Sequence, residues 1–477
     1  MLIPYSTFTE LHKALNSGET TCVETTQVYL SRISKYKNLN TFVEVFEQEA
    51  LNRAKLIDTK IEKGIAGRLA GMVIGIKDNI CFKNHKVSAA SKMLDGFESM
   101  FTATALQNLI DQDAIIIGRL NCDEFAMGSA NENTKYGPVK NPLDTSKVAG
   151  GSSGGSAAAV SAGLCFAALG SDTGGSVRQP AAFCGVIGFK PTYSRVSRHG
   201  LIAYGSSFDQ IGPIVNSAYD AALIMEVMSG QDSFDNTASN LEVEKYTKTV
   251  FTPPPKRIAY FRQCLDLNIL DKEIKKATER KISQLRDNGY TVDAIDFPYF
   301  DVLMPIYYIL STAEASSNLA RYDGVHYGYR SEKNTDLEST YKNTRTNGFG
   351  EEVKRRIMLG TFVLSSGYNE EFYTKALKIR RLIQDKTKEV FQKYDLLISP
   401  ATPHTAFSIG EKNTDPTKAY LEDIFTVQAN LSGNPAVSTP ISKHSNGMPI
   451  SIHVMSDMFC EGILLSFVDS INKESNL

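Results

Sequence analysis

Through residues 5 to 60, apolar positions recur at mixed spacings of three and four with charged faces between them, most clearly in "SRISKYKNLNTFVEVFEQEALNRAKLIDTKIEKG". That period matches the turn of an α-helix, so the whole region is predicted to be helical. The pattern then changes. "MVIGI" (Met72 to Ile76) and "AIIIG" (Ala114 to Gly118) are short β-branched runs of the kind that form fully buried strands. Further on, "RIAYF" (Arg257 to Phe261), the amphipathic "DKEIKKATERKISQLRDNG" ended by Gly289, and "YTVDAIDF" read as a strand, helix, strand unit. "DLLISP" and "ISIHVM" add two more strands, and the fold class is α/β. Two polar stretches interrupt the pattern. Ser229 to Pro255 ends in three prolines and reads as a surface connection, and Arg330 to Gly350 reads either as a lid or as a solvated excursion. No internal repeat, low-complexity tract or heptad pattern is present.

Composition narrows the classes of function. The chain has 477 residues, 42% of them hydrophobic, and a formal charge of -2. That is enough for a large core, with no general attraction to phosphate backbones or anionic surfaces. The longest small-apolar run, Ala157 to Leu169, falls short of the roughly 20 residues that a membrane helix needs. Cys22, Cys81, Cys122, Cys165, Cys184, Cys264 and Cys460 form no C-x-x-C pair and are odd in number, which points to reduced thiols rather than disulfides or zinc. With no basic-then-apolar leader in "MLIPYSTFTELHKALNSGE", the expected location is cytoplasmic.

Glycine and serine crowd into Val148 to Gly185. A phosphate cradle is a poor account, because the Walker pattern is absent and no lysine follows the glycines. Gly151 to Gly155 formally matches the nucleophile elbow G-x-S-x-G with Ser153 at its centre, but polar "NPLDTSKVA" stands where an elbow needs a buried strand. His199, His326, His404, His444 and His453 lie in no motif that would complete such a triad. A lysine held neutral by burial can activate a serine instead. Lys77 closes the apolar "MVIGIK" and is the candidate base, the plain alternative being a strand-end lysine that snorkels to solvent. A flexible linker is excluded by the interleaved apolar "AAAV" and "CFAAL".

Taken together and in this order, "GIKDNI", "GGSSGGSAAA" and "GSDTGGSVRQPAAFCGVIGFKPT" resemble the amidase signature family. The resemblance is specific from about Gly71 to Pro213 and thinner beyond. It implies one amidase domain over 1–477, with a mixed, mostly parallel sheet covered by helices on both faces. Within it, 1–65 would be an N-terminal helical region, 66–228 the catalytic core, 229–255 the surface connection and 256–477 the substrate-pocket and lid region. It also implies Ser176 as nucleophile, Ser152 as the bridging hydroxyl and Lys77 as base, with Ser153 a supporting neighbour. Ser152 and Ser176 stand 24 apart, as in the family. Thr173, Gly174 and Gly175 would supply the turn whose amides face a developing oxyanion.

Flanking stretches such as "NCDEFAMGSANENTKYGPVKNP" and "GEEVKRRIMLGTFVLSSGY" are similar to the branch of that family that serves as A subunits of tRNA-dependent amidotransferases. That similarity implies glutamine hydrolysis within a heterotrimer. A B subunit would bind misacylated Glu-tRNA(Gln), ATP and magnesium, a C subunit would clasp the two, and this chain would hold no cofactor. The product would be Gln-tRNA(Gln), Asn-tRNA(Asn) or both. It further implies Arg356, or the adjacent Arg355, as clamp for the substrate carboxylate, Asp423 for its ammonium, and Ser129 and Tyr307 as pocket lining. A stand-alone amidase acting on small or aryl amides is the alternative. The chain departs from the family in Leu143 of "NPLD", in having no tryptophan, and in a short C-terminal "FVDSINKESNL".

Overall fold

Eleven strands form one sheet in the order β1-β3-β2-β4-β6-β5-β10-β11-β9-β7-β8. They span Phe42–Val45 (β1), Val73–Lys77 (β2), Ile115–Leu120 (β3), Ala167–Asp172 (β4), Ile187–Lys190 (β5), Gln210–Val215 (β6), Arg257–Phe261 (β7), Thr291–Ile295 (β8), Leu396–Pro400 (β9), Ala436–Lys443 (β10) and Pro449–Ser456 (β11). The computed structural model describes residues 5–326, 328–411 and 420–475. Helices flank the sheet, and β2, β3 and β4 are buried along their whole length.

The β-branched runs behave as their pattern predicts. β2 and β3 pair in parallel, Ile74 opposite Ile116, and β2 also pairs in parallel with β4. The strand, helix, strand unit forms with β7 and β8 parallel, its helix Lys272–Asp287 capped by the Asp271 carboxylate. Two expectations fail. The region 5–60 is not wholly helical: helices Phe8–Ser17, Cys22–Lys35 and Glu47–Glu62 are interrupted by β1, which runs antiparallel along β3. "FVEV" reads equally well as alternating, and Asn40, in the left-handed region at φ 57, ends the helical run before it.

The sheet is also mixed but not mostly parallel. Among the described residues, six of its ten pairings are antiparallel. Four of these six involve β4, β5, β6 or β10, strands whose glycines, serines and prolines hide them from a search for aliphatic runs. Small residues serve packing there: a Cβ on Gly170 would meet the Ser153 side chain at 2.8 Å.

β5 pairs with β10, so the sheet continues across the 229–255 connection. That connection is mostly exposed or half-buried but sinks Tyr246 and Val250 into the core. The polar 330–350 stretch forms the helix Leu337–Gly348, which buries Thr340 and Thr344 and packs on the turn Lys92–Leu94. Among the described residues no helix is long and apolar enough to cross a membrane.

Candidate active site

Lys77 ends β2 between β3 and β4, so the strand delivers its side chain into the interior rather than to solvent, and it is fully buried. Nζ lies 2.6 Å from Ser152 Oγ, 2.9 Å from Ser171 Oγ and 3.0 Å from Ser153 Oγ. Burial pulls the ammonium down to about 8, against the opposing pull of nearby groups that include the Asp123, Asp172 and Asp209 carboxylates. A base that is part neutral near neutral pH, in contact with hydroxyls, is what a serine relay requires.

The Gly151–Ser152 peptide bond is cis. Ser153 stands behind Ser152: its hydroxyl donates to Ser171 O at 3.1 Å and its amide donates to Ser176 O at 3.1 Å. Asn79 Nδ2 donates to Ser171 Oγ at 2.9 Å, completing the hydroxyl cluster around Nζ.

Ser176 lies in the turn between β4 and the helix Arg178–Cys184 and is 7% exposed. The structure makes the Lys77–Ser152 contact, while no hydrogen bond joins the Ser152 and Ser176 hydroxyls among the described residues. The turn is clamped at both ends. Arg178 grips Asp172 with Nε at 3.0 Å and Nη2 at 2.9 Å, both side chains fully buried, and Val177 N donates to the same carboxylate. Burial alone would raise the Asp172 carboxyl, but the Arg178 guanidinium overrides it and holds it well below the ordinary range. Arg178 also donates to Thr426 O, Asn430 Oδ1 and His453 Nε2. His453 accepts that bond as a neutral ring, because burial and the adjacent guanidinium both disfavour its protonation.

Thr173 Oγ1 donates to Asp209 at 2.6 Å, and Thr426 Oγ1 donates to Gly174 O at 2.6 Å. Gly174 lies against the Tyr307 ring, where a Cβ would come within 2.5 Å of Cζ. Gly175, at φ 147, holds a conformation closed to side-chain-bearing residues, and a Cβ there would meet Asp423 Oδ1 at 3.1 Å. Tyr307 and Asp423 are therefore packed against the turn.

Ser129 Oγ donates to Asp423 Oδ2 at 2.8 Å, while the buried Oδ1 has no partner. Burial pushes the Asp423 carboxyl up to about 7, against the Ser129 hydrogen bond. Arg356 is buried, with Nε donating to Glu352 at 2.9 Å and Nη1 to the Tyr204 hydroxyl at 2.8 Å. Its guanidinium sits among the rings of Tyr204, Tyr308 and Tyr420. Arg355 points outward, its side chain 46% exposed, so of the two arginines only Arg356 faces the interior.

Sequence patterns did not single out Asn79, Ser171, Asp172, Arg178, Asp209 and Thr426. One signal was present: Asp172 and Arg178 are the only charged residues between Lys147 and Lys190, and charges inside so apolar a run need partners. Among the described residues no group of His, Cys, Asp and Glu side chains could hold a metal ion.

The amidase family profile matches residues 24–465. The A subunit of glutamyl-tRNA(Gln) amidotransferase from Chlorobium phaeobacteroides is 47% identical over 468 residues, 97% of each chain. Its counterpart in Chlorobaculum parvum is 48% identical over 467 residues, again 97% of each chain. The crystal structure of the same subunit from Thermotoga maritima superposes with a TM-score of 0.77 at 38% identity, covering 94% of this chain and 91% of that one. A peptide amidase from Stenotrophomonas maltophilia, at 26% identity, superposes with a TM-score of 0.83 over 99% of this chain and 98% of its own. With the serine and lysine motifs brought together in one buried cluster and similarity running nearly end to end, the chain belongs to the amidase family.

Proposed function

We propose that this chain is the glutamine-hydrolysing subunit of a heterotrimeric tRNA-dependent amidotransferase, supplying ammonia for the conversion of Glu-tRNA(Gln) to Gln-tRNA(Gln). Ser176 Oγ attacks the side-chain amide carbon of L-glutamine while its proton passes through the Ser152 hydroxyl to neutral Lys77. Amides of the 173–176 turn stabilise the oxyanion. Ammonia leaves with a proton returned along the relay, and water then cleaves the γ-glutamyl ester on Ser176 by the same route. Arg356 holds the substrate carboxylate, Asp423 and Ser129 its ammonium, and Tyr307 walls the pocket beside Gly174.

The observation that carries this reading is Asp423: a buried carboxylate with one oxygen unpartnered, beside the Ser176 turn, suits a cationic substrate group such as the glutamine ammonium. The two amidotransferase relatives support it, at 47% and 48% identity over nearly the whole chain. The tRNA, ATP and magnesium are assigned to a B subunit, the clasp to a C subunit. A formal charge of -2 fits a chain that leaves tRNA to its partner.

The test is ammonia release from L-glutamine by the chain co-expressed with B and C subunits, with and without ATP and Glu-tRNA(Gln). Release that needs Ser176 and rises with the tRNA substrate is the expected result. No release from glutamine, with turnover of small or aryl amides by the chain alone, would replace this reading with a stand-alone amidase.

A further inference from the structure

We propose that Glu124 is a positioning residue that sets the distance between the two arms of the substrate pocket, by tying the loop that carries Ser129 to the start of the helix that carries Arg356. The inference rests on the glutaminase reading above. Glu124 is 6% exposed and sits in the short turn Glu124–Ala126, five residues before Ser129. Its Oε2 accepts the Gly350 amide at 2.8 Å, and its Oε1 accepts the Ser91 hydroxyl. Gly350 is the residue from which the helix Glu351–Leu364 starts, and it has no side chain to cap that helix. The first amides of a helix need an acceptor, and Glu124 supplies one from another part of the chain.

The choice of glycine at 350 supports the same role. Gly350 has φ -70 and ψ 170, a backbone conformation open to any residue, so glycine is not needed there for freedom of the chain. A Cβ at this position would instead run into Glu124 Oε2. Glycine makes room for the carboxylate.

Both ends of the tie are stiff, so its length is transmitted. On the loop side, Asp123 accepts the amides of Asn131 and Asn133 at 2.9 and 3.1 Å, which holds the stretch that points Ser129 at Asp423. Phe125 packs against the rings of Tyr322 and Phe349. On the helix side, Val353 is buried in the same small core as Phe125 and Tyr204, and Glu352 orients Arg356 through Nε. A shift of the helix start therefore moves Arg356 relative to the Ser129–Asp423 pair, and Glu124 touches neither substrate arm itself.

The test measures glutamine hydrolysis by the assembled complex. Glu124→Ala is expected to raise the KM for glutamine by about tenfold with kcat changed less than about twofold, and to leave ammonium-dependent transfer at the wild-type rate. Glu124→Gln keeps an acceptor oxygen at the same reach and should restore KM to within about threefold. Should Glu124→Ala fail to assemble, Glu124→Asp, one methylene shorter, carries the test with the same rise in KM expected. The double variant Glu124→Ala/Gly350→Asp gives the helix a cap from its own chain and is expected to recover thermal stability while KM stays high. KM returning to the wild-type value in that double variant, or never rising in Glu124→Ala or Glu124→Asp, would overturn the positioning role alone. A wild-type complex inert towards glutamine would overturn the proposed function and this role together.

Discussion

At the reaction end of the site, Lys77 and Ser152 meet across 75 residues of sequence, through strand ends and glycine-rich turns. At the binding end, Ser129 and Asp423 meet across 294, and Arg356 arrives on a separate helix. Burial acts on both ends with opposite consequences. It drives Lys77 towards the neutral form that a base must have, and it drives Asp423 towards the neutral form that an ammonium-binding carboxylate must not have. At the reaction end Lys77 already touches Ser152, while the Ser152 and Ser176 hydroxyls are not joined among the described residues. At the binding end, in the proposed role, a substrate ammonium would favour the ionised form of Asp423, which would tie affinity to the cationic group.

The largest effect should fall on the nucleophile. Ser176→Ala is expected to cut glutamine-dependent ammonia release by at least about 10³-fold in the complex, leaving transfer from added ammonium salts intact. Loss of both activities would break the separation between making and using ammonia. Next comes the base: Lys77→Met should lower kcat by about 10²- to 10⁴-fold. In the wild type, Lys77 is protonated below its value of about 8 and free to accept a proton above it, so kcat should climb as pH rises through about 8. A kcat flat from pH 6 to 9 would contradict this use of Lys77.

The clamp behind the turn should show in stability. Asp172→Asn leaves the fully buried Arg178 without its counter-ion, and denaturant unfolding is expected to report a loss of about 3–5 kcal/mol. At the binding end, Asp423→Asn should raise the KM for glutamine by about 10- to 100-fold with little change in kcat. Asp423 is ionised only above about 7, so the wild-type KM should fall as pH rises through that value, and the variant should lose the trend. Kinetics of one preparation over pH would then show one trend in each parameter, kcat rising and KM falling. Smallest of all, Arg355→Ala should change KM by less than about twofold, since that side chain is 46% exposed and, among the described residues, its one ion pair is with Glu352. A large effect there would reverse the assignment of the two arginines.

Strands made of aliphatic runs are legible from the apolar pattern alone: β2, β3, β7 and β9 follow "MVIGI", "AIIIG", "RIAYF" and "DLLISP" closely. β4, β5, β6 and β10 are not, because burial there is met by glycine, serine and proline packed against neighbouring backbone rather than by large side chains. With those strands hidden, the sheet looks more parallel in sequence than it is. β1 is lost for a different reason, four residues being too few to separate alternation from helical period.

Residue chemistry and local order marked the candidates, a lysine closing an apolar strand and serines among glycines, and the resemblance to the amidase signature family assigned roles to Ser152 and Ser176, 24 apart. These survive as sequence signals because close backbone turns demand particular residues at particular positions. Which arginine faces inward, what holds the Ser176 turn, and that Asp423 keeps an oxygen without a partner were decided only by tertiary structure. The physical reason is that a buried charge takes its role from partners distant in the chain. Arg178 finds Asp172, Asn430 and His453, and Glu124 finds Gly350, in contacts that local patterns of sequence do not encode.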